Sequence, residues 1–199
     1  MKIIGLCGGS GSGKSFASKC FANRGIPALD TDELYHSMIS HDSECTRELV
    51  LAFGEHILNC ESGIDRRKLA DEVFSDSTGE KRKKLNSITH NLILKECRKW
   101  LSEKEKTGCP AAIIDAPLLF ESGFDKECDV IVCVEADEAT RIKRITERDK
   151  ISDGMAIKRI KTQADDEFLE KNSDFIIKNS QDVASLDLQV EKICRLILR

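Results

Sequence analysis

Long apolar runs are missing from this chain. No stretch approaches the ~18 residues that a membrane-spanning helix needs, so insertion into a bilayer is not expected. The first residues lead straight into a short strand and carry no secretory pattern, which makes a cytoplasmic location the default expectation. Surplus positive charge is absent too: 31 Lys and Arg stand against 35 Asp and Glu, for a formal net charge of -4. That balance argues against sequence-independent nucleic-acid binding, which rests on neutralising phosphates. It leaves room for a local basic pocket that takes a phosphorylated ligand. The nine cysteines are odd in number and form no C-x-x-C pair, so neither a disulfide framework nor a zinc ligand set is indicated. Cys7, Cys20, Cys97, Cys133 and Cys194 read as small reduced core residues. The four histidines form no ligand cluster, and neither repeats nor low-complexity segments occur.

What is present is the composition of an ordinary globular protein. Hydrophobic residues make up 40% and charged residues 33% of 199 residues, enough for one core, or one core with a smaller helical appendage. Apolar runs alternate with helical patterns, as in strand and helix units around a parallel sheet. Lys2 to Cys7 reads as a short buried strand, Lys14 to Arg24 as a helix stopped by Gly25, and Pro27 to Asp30 as a second strand. From residue 32 to 106 the pattern turns helical, with amphipathic stretches over Glu44 to Phe53, Arg66 to Phe74 and Gly79 to Lys106. Within the last of these, Leu85, Ile88, Leu92 and Leu101 share one face. Strands resume at Ala111 to Asp115 and Asp129 to Val134, apolar enough to be covered on both sides. Asp137 caps a basic helix through Arg148, Asp153 starts another through Gln163, Phe175 to Ile177 forms a last strand, and Val183 to Leu198 an amphipathic helix.

Between the first strand and the first helix lies Gly8-Gly-Ser-Gly-Ser-Gly13-Lys14-Ser15, a match to G-x-x-x-x-G-K-S in the setting that motif requires. Backbone N–H groups of such a loop wrap phosphates, and the helix N-terminus adds a favourable dipole. Lys14 would reach the β and γ phosphates of ATP, and the Ser15 hydroxyl would ligate Mg2+. The expected nucleotide-binding set is Gly8, Gly9, Gly11, Ser12, Gly13, Lys14, Ser15 and Phe16. A P-loop kinase fold follows: α/β, with a parallel sheet flanked by helices. A GTPase switch is the competing class, since Asp76 to Gly79 matches D-x-x-G. That string sits in a polar link between helices, however, and no N-K-x-D occurs.

Further segments resemble, in order, those of the dephospho-CoA kinase family. They are the opening Ile3 to Ser15, the turn Arg24 to Asp32 with its D-x-D at 30 and 32, Arg66 to Phe74, Leu85 to His90, Ala116 to Glu121, Arg144 to Asp149, and Gln163. The resemblance covers essentially the whole chain. It implies transfer of the γ-phosphate of ATP to the ribose 3′-hydroxyl of dephospho-CoA, the last step of coenzyme A biosynthesis. It also implies a nucleotide-binding core over 1–31 and 107–199, a helical substrate-binding insertion over 32–106, and a lid near 138–165. Cys7, Ser10, Phe16 and Asn91 depart from common family residues. The first three lie in or beside a loop that binds through its backbone, and Asn91 alters only local helix geometry. The nearest alternative function is another small-molecule or nucleotide kinase.

Asp32 follows the second strand, which places it at the carboxyl edge of a parallel sheet, where a carboxylate can accept the proton of an attacking hydroxyl. Its structural alternative is an N-cap for a helix starting near Glu33. Asp115 ends a buried strand and is a candidate Mg2+ ligand in the manner of a Walker-B aspartate, or simply an acid closing a strand. Glu121 would contact substrate or a metal-bound water, or pair with a basic neighbour. Arg141, Arg144 and Arg148 share a helix face. A lid would bring them to ATP, with Arg144 matching the family's lid arginine and Arg148 a further ATP contact; the alternative is a solvated face paired with Glu138 and Glu147.

Overall fold

The computed structural model describes residues 1–163, 165–179 and 183–198. Ala164, within the stretch expected as a lid, lies outside the described residues. The strands are β1 (Lys2–Cys7), β2 (Ala28–Asp30), β3 (Ala111–Asp115), β4 (Val130–Glu135) and β5 (Phe175–Lys178). Helix α1 (Lys14–Ala22) follows β1. Helices α2 (Thr31–Ile39), α3 (Glu44–Phe53), α4 (Arg66–Phe74) and α5 (Glu80–Lys106) fill the interval from β2 to β3. Helices α6 (Glu138–Asp149), α7 (Asp153–Lys161), α8 (Asp166–Lys171) and α9 (Val183–Ile197) belong to the C-terminal half. The chain divides into two compact units, one of residues 1–30 with 101–199, the other of residues 31–100.

In the first unit the five strands form one parallel sheet of order β2-β3-β1-β4-β5. Parallel neighbours need crossover connections, and these cover both sheet faces. On one face Ile4, Leu6, Ile113, Val132 and Ile177 meet Ala17, Cys20 and Phe21 of α1 and Leu186, Val190, Ile193 and Cys194 of α9. On the other face a Cβ built on Gly5 would fall 2.8 Å from Leu119 and 2.9 Å from the Cys128 sulfur, so the segment after β3 presses directly on the central strand. Cys7 and Cys133 stand side by side in the β1–β4 register, both fully buried, and the Cys7 thiol lies 3.7 Å from the Ser173 hydroxyl. All nine cysteines are free thiols.

The second unit buries its own core: Ile39, Cys45, Leu49, Phe53, Ile57, Ile64, Leu69 and Val73, with Leu85, Ile88 and Leu92 of α5 packed against them. Leu101, on the same expected stripe, is buried as well but falls in the first unit. Helix ends are set by side chains. Ser43 accepts from the Thr46 N–H at the start of α3, and Asp65 accepts from the Arg67 and Lys68 N–H groups at the start of α4. The helix expected near Glu33 begins at Thr31, so Asp32 lies in its first turn rather than ahead of it. Helix α8 has no counterpart in the sequence pattern, because six residues are too few to show an apolar period. No helix among the described residues is long and apolar enough to cross a membrane.

Two leucines of α3 test this packing. Leu49 is fully buried and Leu51 is 81% exposed. Leu49→Ala is expected to cost about 2 to 5 kcal/mol in urea unfolding, and Leu51→Ala less than about 0.5 kcal/mol.

Candidate active site

In the loop that follows β1, each carbonyl from Gly9 to Gly13 is occupied. The Gly9 carbonyl accepts from the Ser12 N–H at 3.1 Å, and the Ser10 carbonyl from Arg141 Nε at 3.0 Å. The Gly11 and Ser12 carbonyls accept from Arg144 Nη1 at 3.1 and 3.2 Å, and the latter also accepts from Asn179 Nδ2 at 2.7 Å. The Gly13 carbonyl takes the Phe16 and Ala17 N–H groups of α1 at 3.0 and 3.1 Å. With these acceptors engaged, the Gly11, Gly13, Lys14 and Ser15 N–H groups find no backbone acceptor among the described residues. They are the donors an anion would collect at the positive end of α1. Gly13 makes the turn into the helix with φ 98°, a conformation that favours glycine, and a Cβ there would lie 2.0 Å from Asn179 Nδ2.

Around this cradle stand several of the residues expected from the sequence. Lys14 Nζ lies 3.5 Å from Asp115 Oδ1, the carboxylate 4% exposed at the end of β3. Loop and strand are brought together by the β1–β3 pairing, in which Leu6 faces Asp115. Ser15 and Phe16 are exposed on the first turn of α1. Ser12 Oγ is buried and has no partner among the described residues. Glu121 lines a cleft of about 90 Å³ together with Gly8, Gly9, Pro117, Leu118, Thr162, Gln163 and Leu169. The donor set fits a phosphate chain, and the exposed Ser15 hydroxyl with the Asp115 carboxylate fits a hard divalent cation. Asp32 opens α2 in the other unit, exposed, two residues beyond the Asp30 that ends β2.

The arginines of α6 divide in a way the sequence did not show. Arg144 is on the loop, donating to the Asn179 carbonyl at 3.0 Å as well as to Gly11 and Ser12. Arg148 points elsewhere. It is exposed and pairs with its neighbour Asp149 at 2.7 and 3.0 Å, and that carboxylate also takes Arg159 of α7. The Arg148 hydrogen bond, and then that of Arg159, hold the Asp149 carboxyl down at about 2. Arg141 contradicts the solvated-face alternative: its side chain is 3% exposed and it pairs with Asp166 of α8 rather than with Glu138 or Glu147. Asn179, just past β5 and 7% exposed, escaped the sequence reading altogether. Its position at the carboxyl edge of the sheet was the available signal.

A second cavity, about 330 Å³, lies beside α8 and is lined by Glu135, Ala136, Asp137, Asp166, Glu167, Glu170 and Lys178. Glu135 Oε1 is buried there without a partner among the described residues. Burial raises the Glu135 carboxyl above its ordinary 4.5, Glu170 and Asp166 add to the rise, and Lys178 opposes it. No group of three or more His, Cys, Asp or Glu side chains that could hold a metal ion occurs among the described residues.

A family model described as dephospho-CoA kinase matches residues 2–185. A dephospho-CoA kinase of Fusobacterium nucleatum is 40% identical over 195 residues, which is 98% of either chain. One of Corynebacterium efficiens is 35% identical over 198 residues, covering 100% of this chain and 98% of the other. Among solved structures, a crystal structure from Thermus thermophilus superposes with a TM-score of 0.82 at 28% identity, covering 98% and 97% of the two chains. A dephospho-CoA kinase from Campylobacter jejuni gives 0.73 at 26%, covering 99% and 98%. A shikimate kinase from Acinetobacter baumannii, at 0.55 and 18% over 100% and 93%, shares the fold.

The raised Glu135 carboxyl has a consequence for stability. A folded-state value above the unfolded one means that folding is favoured below about 4.5 and loses that contribution as pH rises through the folded value. Glu135→Gln is therefore expected to raise the melting temperature at pH 8 and to change it little at pH 4. Equal shifts at both pH values would show that ionisation is not the cause.

Proposed function

The chain belongs to the dephospho-CoA kinase family, and from that premise we propose how its own residues divide the work of moving the γ-phosphate of ATP onto the ribose 3′-hydroxyl of dephospho-CoA. The observation that carries the proposal is the set of loop and first-turn N–H groups without a backbone acceptor among the described residues, beside the Lys14 ammonium. Phosphoryl transfer leaves a protein little covalent chemistry to do, so its contribution is positioning and charge stabilisation. Gly8, Gly9, Gly11, Ser12 and Gly13 form the loop that takes the phosphates, the Gly11 and Gly13 N–H groups being open to them while that of Ser12 holds the Gly9 carbonyl, and Lys14 moves from Asp115 to the β and γ phosphates. Phe16, exposed beside Ser15, borders the nucleotide. Ser15 and Asp115 hold Mg2+, which when bound neutralises charge on the phosphates.

Arg144 acts from the loop, where a delocalised, always-charged guanidinium suits charge spread over the transferring group. Arg148 joins the ATP contacts by exchanging Asp149 for phosphate as the lid near 138–165 closes. Asp32 accepts the proton of the attacking hydroxyl, a role supported by the family resemblance of its D-x-D turn. Residues 32–106 supply the acceptor site. The free cysteines suit a reducing, cytoplasmic setting.

A coupled ADP-release assay tests the substrate: dephospho-CoA is expected to exceed AMP, CMP, gluconate and shikimate in kcat/KM, and a win by any competitor would sink the assignment. Lys14→Ala should greatly weaken ATP use without unfolding the protein, as circular dichroism would check. Arg144→Ala should depress kcat more than Lys143→Ala. For Asp32→Asn, loss of a general base predicts a fall in kcat of about 10² to 10⁴-fold with ATP affinity unchanged. Retention of more than about a tenth of kcat at saturating Mg2+ would rule Asp32 out as the base.

A further inference from the structure

Ser10 sits at the tip of the phosphate loop, yet all three of its polar groups are taken by two side chains far along the sequence. Its N–H donates to Gln163 Oε1 at 2.7 Å, its hydroxyl accepts from Gln163 Nε2 at 2.9 Å, and its carbonyl accepts from Arg141 Nε at 3.0 Å. The two clasping residues are themselves joined, Arg141 Nη2 donating to Gln163 Oε1 at 3.4 Å. Arg141 Nη1 lies 2.9 and 2.7 Å from the two carboxylate oxygens of Asp166.

Burying an arginine is expensive, and the cost is offset only when the charge is paired and its donors are satisfied. An arginine at 141 that served solubility would stay in water like its neighbour Lys143. Instead the chain spends a counter-charge on α8 and clears room in the loop itself: a Cβ on Gly9 would lie 2.1 Å from Arg141 Nη2. What the arrangement fixes is the peptide on either side of Ser10. The next residue, Gly11, has an N–H without a backbone acceptor among the described residues, so a rotation at Ser10 would re-aim it.

We infer that Gln163 and the Arg141–Asp166 pair are positioning residues for the phosphoryl transfer, preforming the loop by clasping Ser10 before the nucleotide arrives. This rests on the phosphate-loop reading given above. Neither side chain acts on the reacting atoms; each acts through the loop backbone. Gln163 also lies between α7 and α8, which ties the shape of the loop to the segment that follows α7.

Gln163→Met tests the clasp, since methionine keeps the length of the side chain and removes its hydrogen bonds. The measurements are kcat, KM for ATP and for dephospho-CoA, binding of a non-hydrolysable ATP analogue by calorimetry, and melting temperature. Loss of the two hydrogen bonds to Ser10 and the long one from Arg141, which matter only for loop shape, should lower kcat/KM for ATP and analogue affinity by about tenfold. KM for dephospho-CoA and melting temperature should stay at their starting values. Arg141→Gln, which removes the donor pair to Ser10 and Asp166, should move the same nucleotide parameters further. If Gln163→Met stays within twofold for ATP, or if both substrates weaken together as the melting temperature falls, the positioning role is overturned. Lys14→Ala run alongside separates the two claims, because near-normal turnover there would remove the phosphate-loop reading itself.

Discussion

Backbone N–H groups seek acceptors, and a loop that binds anions must keep several of its own from finding any. That requirement organises the first unit. The solution is to occupy the carbonyls: from Gly9 to Gly13 each loop carbonyl is engaged by Ser12, Arg141, Arg144, Asn179 or the first turn of α1. A peptide whose C=O is tied down on one side must show its N–H on the other. Arg144 and Asn179 bind each other as well as the loop, so they act as one bracket rather than two contacts. The parallel sheet provides the geometry, because the carboxyl ends of β1, β3, β4 and β5 bring residues 8–13, 115, 135 and 179 to the same edge.

Charge placement follows the same logic. Lys14 rests on Asp115 at the end of β3, a pair with little exposure to water. The acidic cavity beside α8 shows the opposite case. Glu135 is left with a buried oxygen and two acidic neighbours, a strain on ionisation that the unit tolerates next to the Arg141–Asp166 pair.

Much of this was legible in the sequence where the signal is local. The strand, glycine loop and helix at residues 2–22 read correctly because a buried run, a fixed motif and an amphipathic period follow one another without interruption. The same holds for β3, β4 and the capped start of α6. The illegible parts are those set by distance. Arg141 carries a charged helix pattern identical to that of an exposed residue, and only Ser10, 131 positions away, and Asp166 on a helix too short to recognise make it a buried one. Asn179 belongs to no motif at all. Ser10 itself looked like a neutral variation within a backbone-binding loop, whereas its hydroxyl and both its peptide groups are committed.

The close approach of Gly9 to Arg141 has an implication for how such a chain can change over time. A Cβ at position 9 would fall 2.1 Å from Arg141 Nη2, so a larger residue there requires the end of the Arg141 side chain to shift, and with it the clasp on Ser10. Losing Arg141 leaves Gly9 without that clash, but it gives up the hydrogen bond to the Ser10 carbonyl and the pair with Asp166. The two positions are therefore coupled, because a side chain at 9 and the guanidinium of 141 compete for the same space.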